Sequence, residues 1–327
     1  MDYAFGEGSE SSLLPSKSHG SIPNQNSAAR YIIGGITVVA LILAGSLLGR
    51  TSTRTPADNS CQAPSYRQEW RMLSLEERQA YITAVQCLTT KPSRMEHNGT
   101  TRYDDFVYSH LAVSAETHGT PISFPWHRIY IQKYEDALRL ECGYQGNLPY
   151  WDWTLDASTN PLHSPIWSHE FGLGGNGSHP ANCVEDGPFA AIKPQYPEPH
   201  CLQRKFSDEN MYGREYTASI VNAIVTESNS YGEFRERLEA GPHRFIHLAI
   251  GGDMPELWSS NDPVFFLHHA QIDRLWWQWQ LRGRGGLLRG YQEVVDVTTL
   301  LRYSGLGRDM TAGEVISTQS DLLCYGY

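Results

Sequence analysis

The stretch "GPHRFIHLAI", Gly241 to Ile250, sets His243 and His247 four residues apart. Four residues is just over one helical turn, so both imidazoles leave one face. Such a pair alone is as often a coincidence as a metal site, and its surroundings decide. Farther on, "NDPVFFLHHAQIDRLWWQW" opens with Asp262 as a helix N-cap and Pro263 at the first helical position. Phe265, His269, Asp273 and Trp276 then share an inward face, while His268 is rotated about 100° from His269. In the first half, Phe106, His110 and Val113 form one stripe, and His127, Ile131, Tyr134 and Leu138 another. His118 lies between them on the turn "AETHGTP". A histidine on a buried face must find a partner for its ring nitrogens.

The two halves of the chain therefore each offer three inward histidines, His110, His118 and His127, then His243, His247 and His269. Neutral imidazoles suit copper, zinc, iron or nickel. Six of them without cysteine or an obligatory carboxylate lean towards a pair of copper ions. A lone zinc uses fewer ligands, and the HExxH pattern is absent. The bland alternative is six core histidines with protein partners, which six ligands on converging faces make a poor explanation.

The elements that must position these residues read as mainly α. "SLEE" provides a capping box, Ser74 with Glu77, and Ile82, Val85 and Leu88 follow as a buried face. The spacing predicts further helices over about 103–115, 127–141, 214–240, 242–250 and 263–281. The stretch 155–210 is rich in Gly, Pro, Asn and His and reads as a long loop region facing a substrate or shielding the core. A net charge of -10 and the lack of a basic cluster argue against a nucleic-acid partner.

Residues 1–30 read as a polar, disordered cytosolic tail. The next 19 residues, 31–49, carry no charge and would span about 28 Å as a helix, close to the thickness of a bilayer core. A single transmembrane signal anchor is expected there, in preference to a cleaved signal peptide. Residues 50–64 read as a linker and 65–327 as the catalytic domain. All six cysteines and both glycosylation sequons, at Asn98 and Asn176, follow the apolar segment. Together they place the domain in the secretory lumen or outside the cell.

Over roughly residues 65–327 the chain resembles the tyrosinase family of type-3 dicopper proteins. "HGTPISFPWHR", "LPYWDWT", "HLAIGGDM" and "NDPVFFLHHAQIDRLW" match the family's motifs in its order. The resemblance implies a four-helix-bundle core with long loops, one copper held by His110, His118 and His127, and a second by His243, His247 and His269. It implies that O2 is used to oxidise phenols or catechols. Phe265, one turn before His269, would pack on an imidazole, and Asp273 would hold a ligand histidine or Arg274. Glu239 would correspond to the family's water-orienting glutamate, with Glu236 as its rival. "CYGY" resembles the closing tyrosine motif, so Tyr325 or Tyr327 is expected to pair with Arg67 or Arg71.

Three departures stand out. Glu116 occupies the position where many relatives carry the cysteine of a Cys–His thioether, so that crosslink cannot form. Arg244 follows His243 where strong phenol hydroxylases often carry Asn or Asp, which favours carboxylate-bearing substrates over brisk monophenol hydroxylation. The chain stops at Tyr327, and an open site without a C-terminal shielding domain is expected. Short anchored oxidases of this kind also resemble those of fungal pathways to ribosomally derived cyclic peptides, of the ustiloxin and phomopsin type. A Tyr-containing peptide or a phenolic small molecule is the expected partner. The alternatives are a pigment-forming catechol oxidase, a haemocyanin-like O2 carrier, and a metal-free structural relative.

Overall fold

The computed structural model describes residues 61–96, 100–207, 211–284 and 296–327. The expected tail, anchor and most of the linker, and the sequon at Asn98, lie outside these residues. Among the described residues no helix is long and apolar enough to cross a membrane.

Helix α1, Leu75–Leu88, begins at the expected capping box, with Ser74 and Glu77 satisfying each other's backbone N–H groups. Helix α2, Arg102–Thr117, starts on a second capping box made by Thr101 and Asp104. Helix α3, Ser123–Cys142, begins four residues before the expected start. Pro125 sits in its first turn, where backbone N–H groups have no intrahelical partner, so its missing donor costs nothing. The helix ends at Gly143, whose φ of 70° supplies the left-handed cap.

The expected helix over 214–240 is two helices, α4 (Ala218–Glu227) and α5 (Tyr231–Leu238). Thr217 and Ser230 each cap one by accepting a backbone N–H, so the polar run Ser228–Ser230 stops the first and starts the second. A π turn, Glu239–His243, joins α5 to α6, Arg244–Ile250. Gly241 leaves helical geometry there and Pro242 follows it. Helix α7, Val264–Trp279, starts one residue later than expected. Asp262 still accepts the Val264 N–H at 3.0 Å. Its carboxylate is buried and also takes two donors from Arg204, at 2.7 and 2.8 Å.

The stretch 155–210 holds short 3-10 turns and a two-stranded hairpin, whose second strand is tied to the chain beyond it by the Cys183–Cys201 disulfide. Cys87–Cys142 ties α1 to the end of α3, and Cys61–Cys324 joins the two ends of the described chain. Beside that bond, residues 65–66 pair in parallel with 325–326. Buried Arg67 stands over the Tyr325 ring at 3.7 Å, donates to the Tyr327 hydroxyl at 3.0 Å, and grips Glu135 on α3. Of the two arginines expected to meet the terminal tyrosines, Arg67 does so, whereas Arg71 pairs with Glu69 and Asp156.

Candidate metal centre

The four helices α2, α3, α6 and α7, with the turns beside them, bring all six expected histidines together. His110 points inward from α2, His118 caps its C-terminus, and His127 lies one turn into α3. Their ring centroids are 4.9, 5.6 and 5.1 Å apart. His243 ends the π turn, His247 lies on α6 and His269 on α7, with centroids 4.7, 5.1 and 5.7 Å apart. The trios touch, since the rings of His127 and His269 stack at 4.3 Å and 12°. The candidate ligand nitrogens of His110, His118 and His127 lie within 4.8 Å of one another, as do those of His243, His247 and His269 together with the adjacent His268.

The protonation of these rings follows from their neighbours. His110 Nδ1 faces the Leu257 carbonyl at 2.9 Å, His118 Nδ1 that of Ser114 at 2.9 Å, and His127 Nδ1 that of Ser123 at 2.7 Å. His243 Nδ1 faces the Glu239 carbonyl at 3.3 Å, and His247 Nδ1 that of Met254 at 2.5 Å. A carbonyl only accepts, so each Nδ1 carries the proton and each Nε2 keeps a free lone pair. Among the described residues the buried Nε2 atoms of His110, His127, His247 and His269 have no hydrogen-bond partner, and the same holds for His268. Leaving each one unpaired costs roughly 1–3 kcal/mol, a penalty that a bound metal removes.

Burial holds these rings neutral as well. Desolvation pushes His110, His127, His247 and His269 well below the usual imidazole range, with neighbouring histidines adding to the effect. Burial, then the nearby His118, pushes His243 down to about 3. Neutral, converging, otherwise unpartnered imidazoles without a carboxylate among them are the donor set that suits a copper pair.

A seventh histidine stands beside the second trio. His268 is buried, 4.9 Å from His247 and 5.3 Å from His243 between ring centroids. The Trp153 indole N–H donates to its Nδ1 at 3.1 Å. Indole nitrogen cannot accept, so in the neutral ring the proton sits on Nε2 and leaves no lone pair for a metal. The rotation of His268 away from His269 hid its burial from periodicity, because α7 is buried on every side from Val264 to Asp273. The apolar run "PVFFL" just before it was the available signal.

Phe265 takes the expected place, with its ring 4.1 Å from His269 and 5.1 Å from His110. His269 therefore lies between Phe265 and His127, and packing fixes its rotamer. Asp273 does not have the expected partners. It accepts from Arg128 Nε at 2.5 Å and from the hydroxyls of Tyr325 and Tyr327, each at 2.6 Å. Arg274 turns instead to Asp152, at 3.2 Å. Asp273 thus reaches the centre only through Arg128, the neighbour of His127. The reason is geometric, since the guanidinium of Arg128 fills the space one turn beyond His269 and stacks on Trp276 at 3.7 Å.

A cavity of about 580 Å³ opens from solvent onto His110, His118, His243 and His247. Arg244 and Glu236 stand exposed at its mouth, and neither has a charged partner among the described residues. Pro255 and Leu257 form an apolar ledge, Leu257 being 54% exposed. Glu239 also faces this cavity, but its carboxylate accepts from Gly119 N at 2.8 Å, Ser123 Oγ at 2.9 Å and Arg235 Nη1 at 2.5 Å. Glu116 makes only a surface ion pair with Arg302, at 3.4 Å.

A family model described as the common central domain of tyrosinase matches residues 100–282, which include all six histidines. The chain is 38% identical over 337 residues to the tyrosinase-like protein phomQ1 of Diaporthe leptostromiformis, covering 90% of this chain and 86% of that protein. It is 35% identical over 323 residues to tyrosinase ustQ of Aspergillus flavus, covering 90% and 89%. Among solved structures it is similar to a mutant polyphenol oxidase from Thermothelomyces thermophila, at a TM-score of 0.73 and 30% identity, over 81% of this chain and 88% of that one. With the fold, the histidine trios and these similarities in agreement, the chain belongs to the tyrosinase family and is a tyrosinase-like copper oxidase.

Proposed function

We propose that this oxidase acts on the tyrosine side chain of a peptide, and that the six histidines hold two copper ions for that purpose. The observation that carries the reading is the cavity over both trios, open to solvent, with an apolar ledge on one side and at its lip a cation, Arg244, that has no charged partner among the described residues. A copper pair bound there supplies the redox chemistry by which O2 takes electrons from a phenol or catechol.

The remaining work falls to the chain's own residues. Pro255 and Leu257 offer apolar surface to the ring and the residues flanking it. Arg244 attracts a carboxylate on the substrate and favours the ionised form of a phenol passing beneath it. Phe265 and the backbone carbonyls of Ser114, Ser123, Glu239, Met254 and Leu257 hold the imidazoles before substrate arrives, so no ligand has to reorganise. The similarity to phomQ1 and ustQ supports a role in fungal secondary metabolism, in the making of cyclic peptides. The open mouth favours turnover over simple O2 carriage.

Secretion is part of the same reading. All six cysteines form disulfides, which suits an oxidising lumen, and the apolar segment at 31–49 would anchor the domain there. Asn176 is exposed, and its Oδ1 takes two backbone N–H groups, leaving its amide nitrogen for a glycan.

Oxygen uptake by the copper-loaded protein, compared across free tyrosine, a catechol and short Tyr-containing peptides, tests the substrate. The peptides, above all those bearing an acidic group near the tyrosine, are expected to be turned over with the highest kcat/KM. That advantage should fall roughly tenfold in R244A, about one charge-assisted contact. Brisk hydroxylation of free tyrosine with no response to peptides would overturn the proposal.

A further inference from the structure

We propose that Glu239 is a positioning residue that locks the two halves of the metal centre together. Its backbone carbonyl accepts from His243 Nδ1, so it orients a ligand of the second trio. Its side chain reaches across to the first. Oε1 accepts the Gly119 N–H, next to His118, and the Ser123 hydroxyl. Ser123 in turn offers its own carbonyl to His127 Nδ1. One residue thus holds the supports of His118, His127 and His243.

The need for such a tie is visible in the first trio. His118 stands outside the helix, as the C-cap of α2, and is only half-buried. Its side chain is oriented by the Ser114 carbonyl and the Thr117 hydroxyl, both from its own helix end. On the α2 side the turn that follows is held through the Thr120 hydroxyl, which donates to the Glu116 carbonyl at 2.9 Å, and Glu239 holds Gly119 from the other half of the chain. Glu239 opens the π turn, with its carbonyl facing His243 and its carboxylate facing Gly119 and Ser123 of the first half.

The carboxylate is also well occupied. Of about four lone-pair directions, three are taken by two neutral donors and the Arg235 guanidinium, a charge-assisted bond. These three bonds fix the carboxylate in place between the Gly119 turn, the start of α3 and α5. Glu236, at the mouth and without such partners, has no comparable hold on any ligand histidine.

The test is the rate at which the full-length, copper-loaded protein surrenders its metal to an excess of chelator. E239A is expected to release copper about 10- to 100-fold faster, the usual effect of removing a partner that orients ligands. E239Q keeps an oxygen for Gly119 and Ser123 and is expected to recover most of the difference. S123A, which loses only the hydroxyl, should fall between wild type and E239A. Release from E239A at the wild-type rate would overturn the proposal, as would E239Q releasing as fast as E239A. Should E239A fail to fold, S123A decides by the same criterion, with wild-type release overturning the assignment.

Discussion

At the scale of single residues, the direction in which each imidazole carries its proton decides its role. Five of the six ligands give Nδ1–H to a backbone carbonyl, which no side-chain substitution nearby can easily remove. His269 has no hydrogen-bond partner at either nitrogen among the described residues and relies on the flanking rings of Phe265 and His127. His268 has the opposite tautomer because an indole N–H occupies its Nδ1. Two substitutions separate neighbours that look alike in sequence. H268Q keeps an acceptor for Trp153 and is expected to retain two coppers per chain, whereas H269Q should retain about one. Metal analysis after exhaustive dialysis checks both. The six ligands were legible because type and helical spacing suffice to turn a side chain inward. The partners of Asp273 and Glu239 were not, because they depend on residues 54 and 120 positions away.

At the scale of elements, caps and turns do much of the positioning. The loop after α6 orients one histidine from each trio, through the Met254 carbonyl on His247 and the Leu257 carbonyl on His110. That loop is fastened by Asp253, which accepts from Gln203 N at 2.9 Å and from His200 Nε2 at 2.8 Å. The bond to Asp253 raises the His200 pKa, partly opposed by burial, and the Glu198 carbonyl adds to the rise. A group whose folded pKa is raised stabilises fully below its unfolded value, near 6.5, and loses that contribution as pH climbs through the folded value. The melting temperature of the wild-type protein is therefore expected to fall more than that of H200A as pH rises above about 6.5. Parallel curves for the two proteins would show that the His200–Asp253 bond does not support the loop. The capping boxes made these elements readable from sequence, and Ser74 and Glu77 mark a helix start unambiguously. The break between α4 and α5 was missed because apolar periodicity runs on across it, while the stop lies in the caps at Ser228–Ser230.

At the scale of the whole molecule, the fold is closed by joining its two ends around the metal core. Cys61–Cys324 closes a span of 263 residues, which the chain-entropy account values at about 5.6 kcal/mol. Beside it, Arg67, Glu135, Arg128 and Asp273 form a buried ionic cluster with both terminal tyrosines. Removing one member leaves a buried charge unpaired, so this cluster makes the ends of the domain and helices α3 and α7 a single unit. The sequence signalled that the terminal tyrosines meet an arginine. It could not show which one, because Arg67 and Arg71 lie only four residues apart and their burial is set by contacts with distant segments. All of this architecture serves the claim that two histidine trios hold two copper ions within reach of one substrate. Anomalous diffraction at the copper edge from the reconstituted full-length protein tests it most directly. Two peaks are predicted, one against Nε2 of His110, His118 and His127 and one against Nε2 of His243, His247 and His269. A single peak, or a peak ligated by His268 in place of His269, would contradict the account.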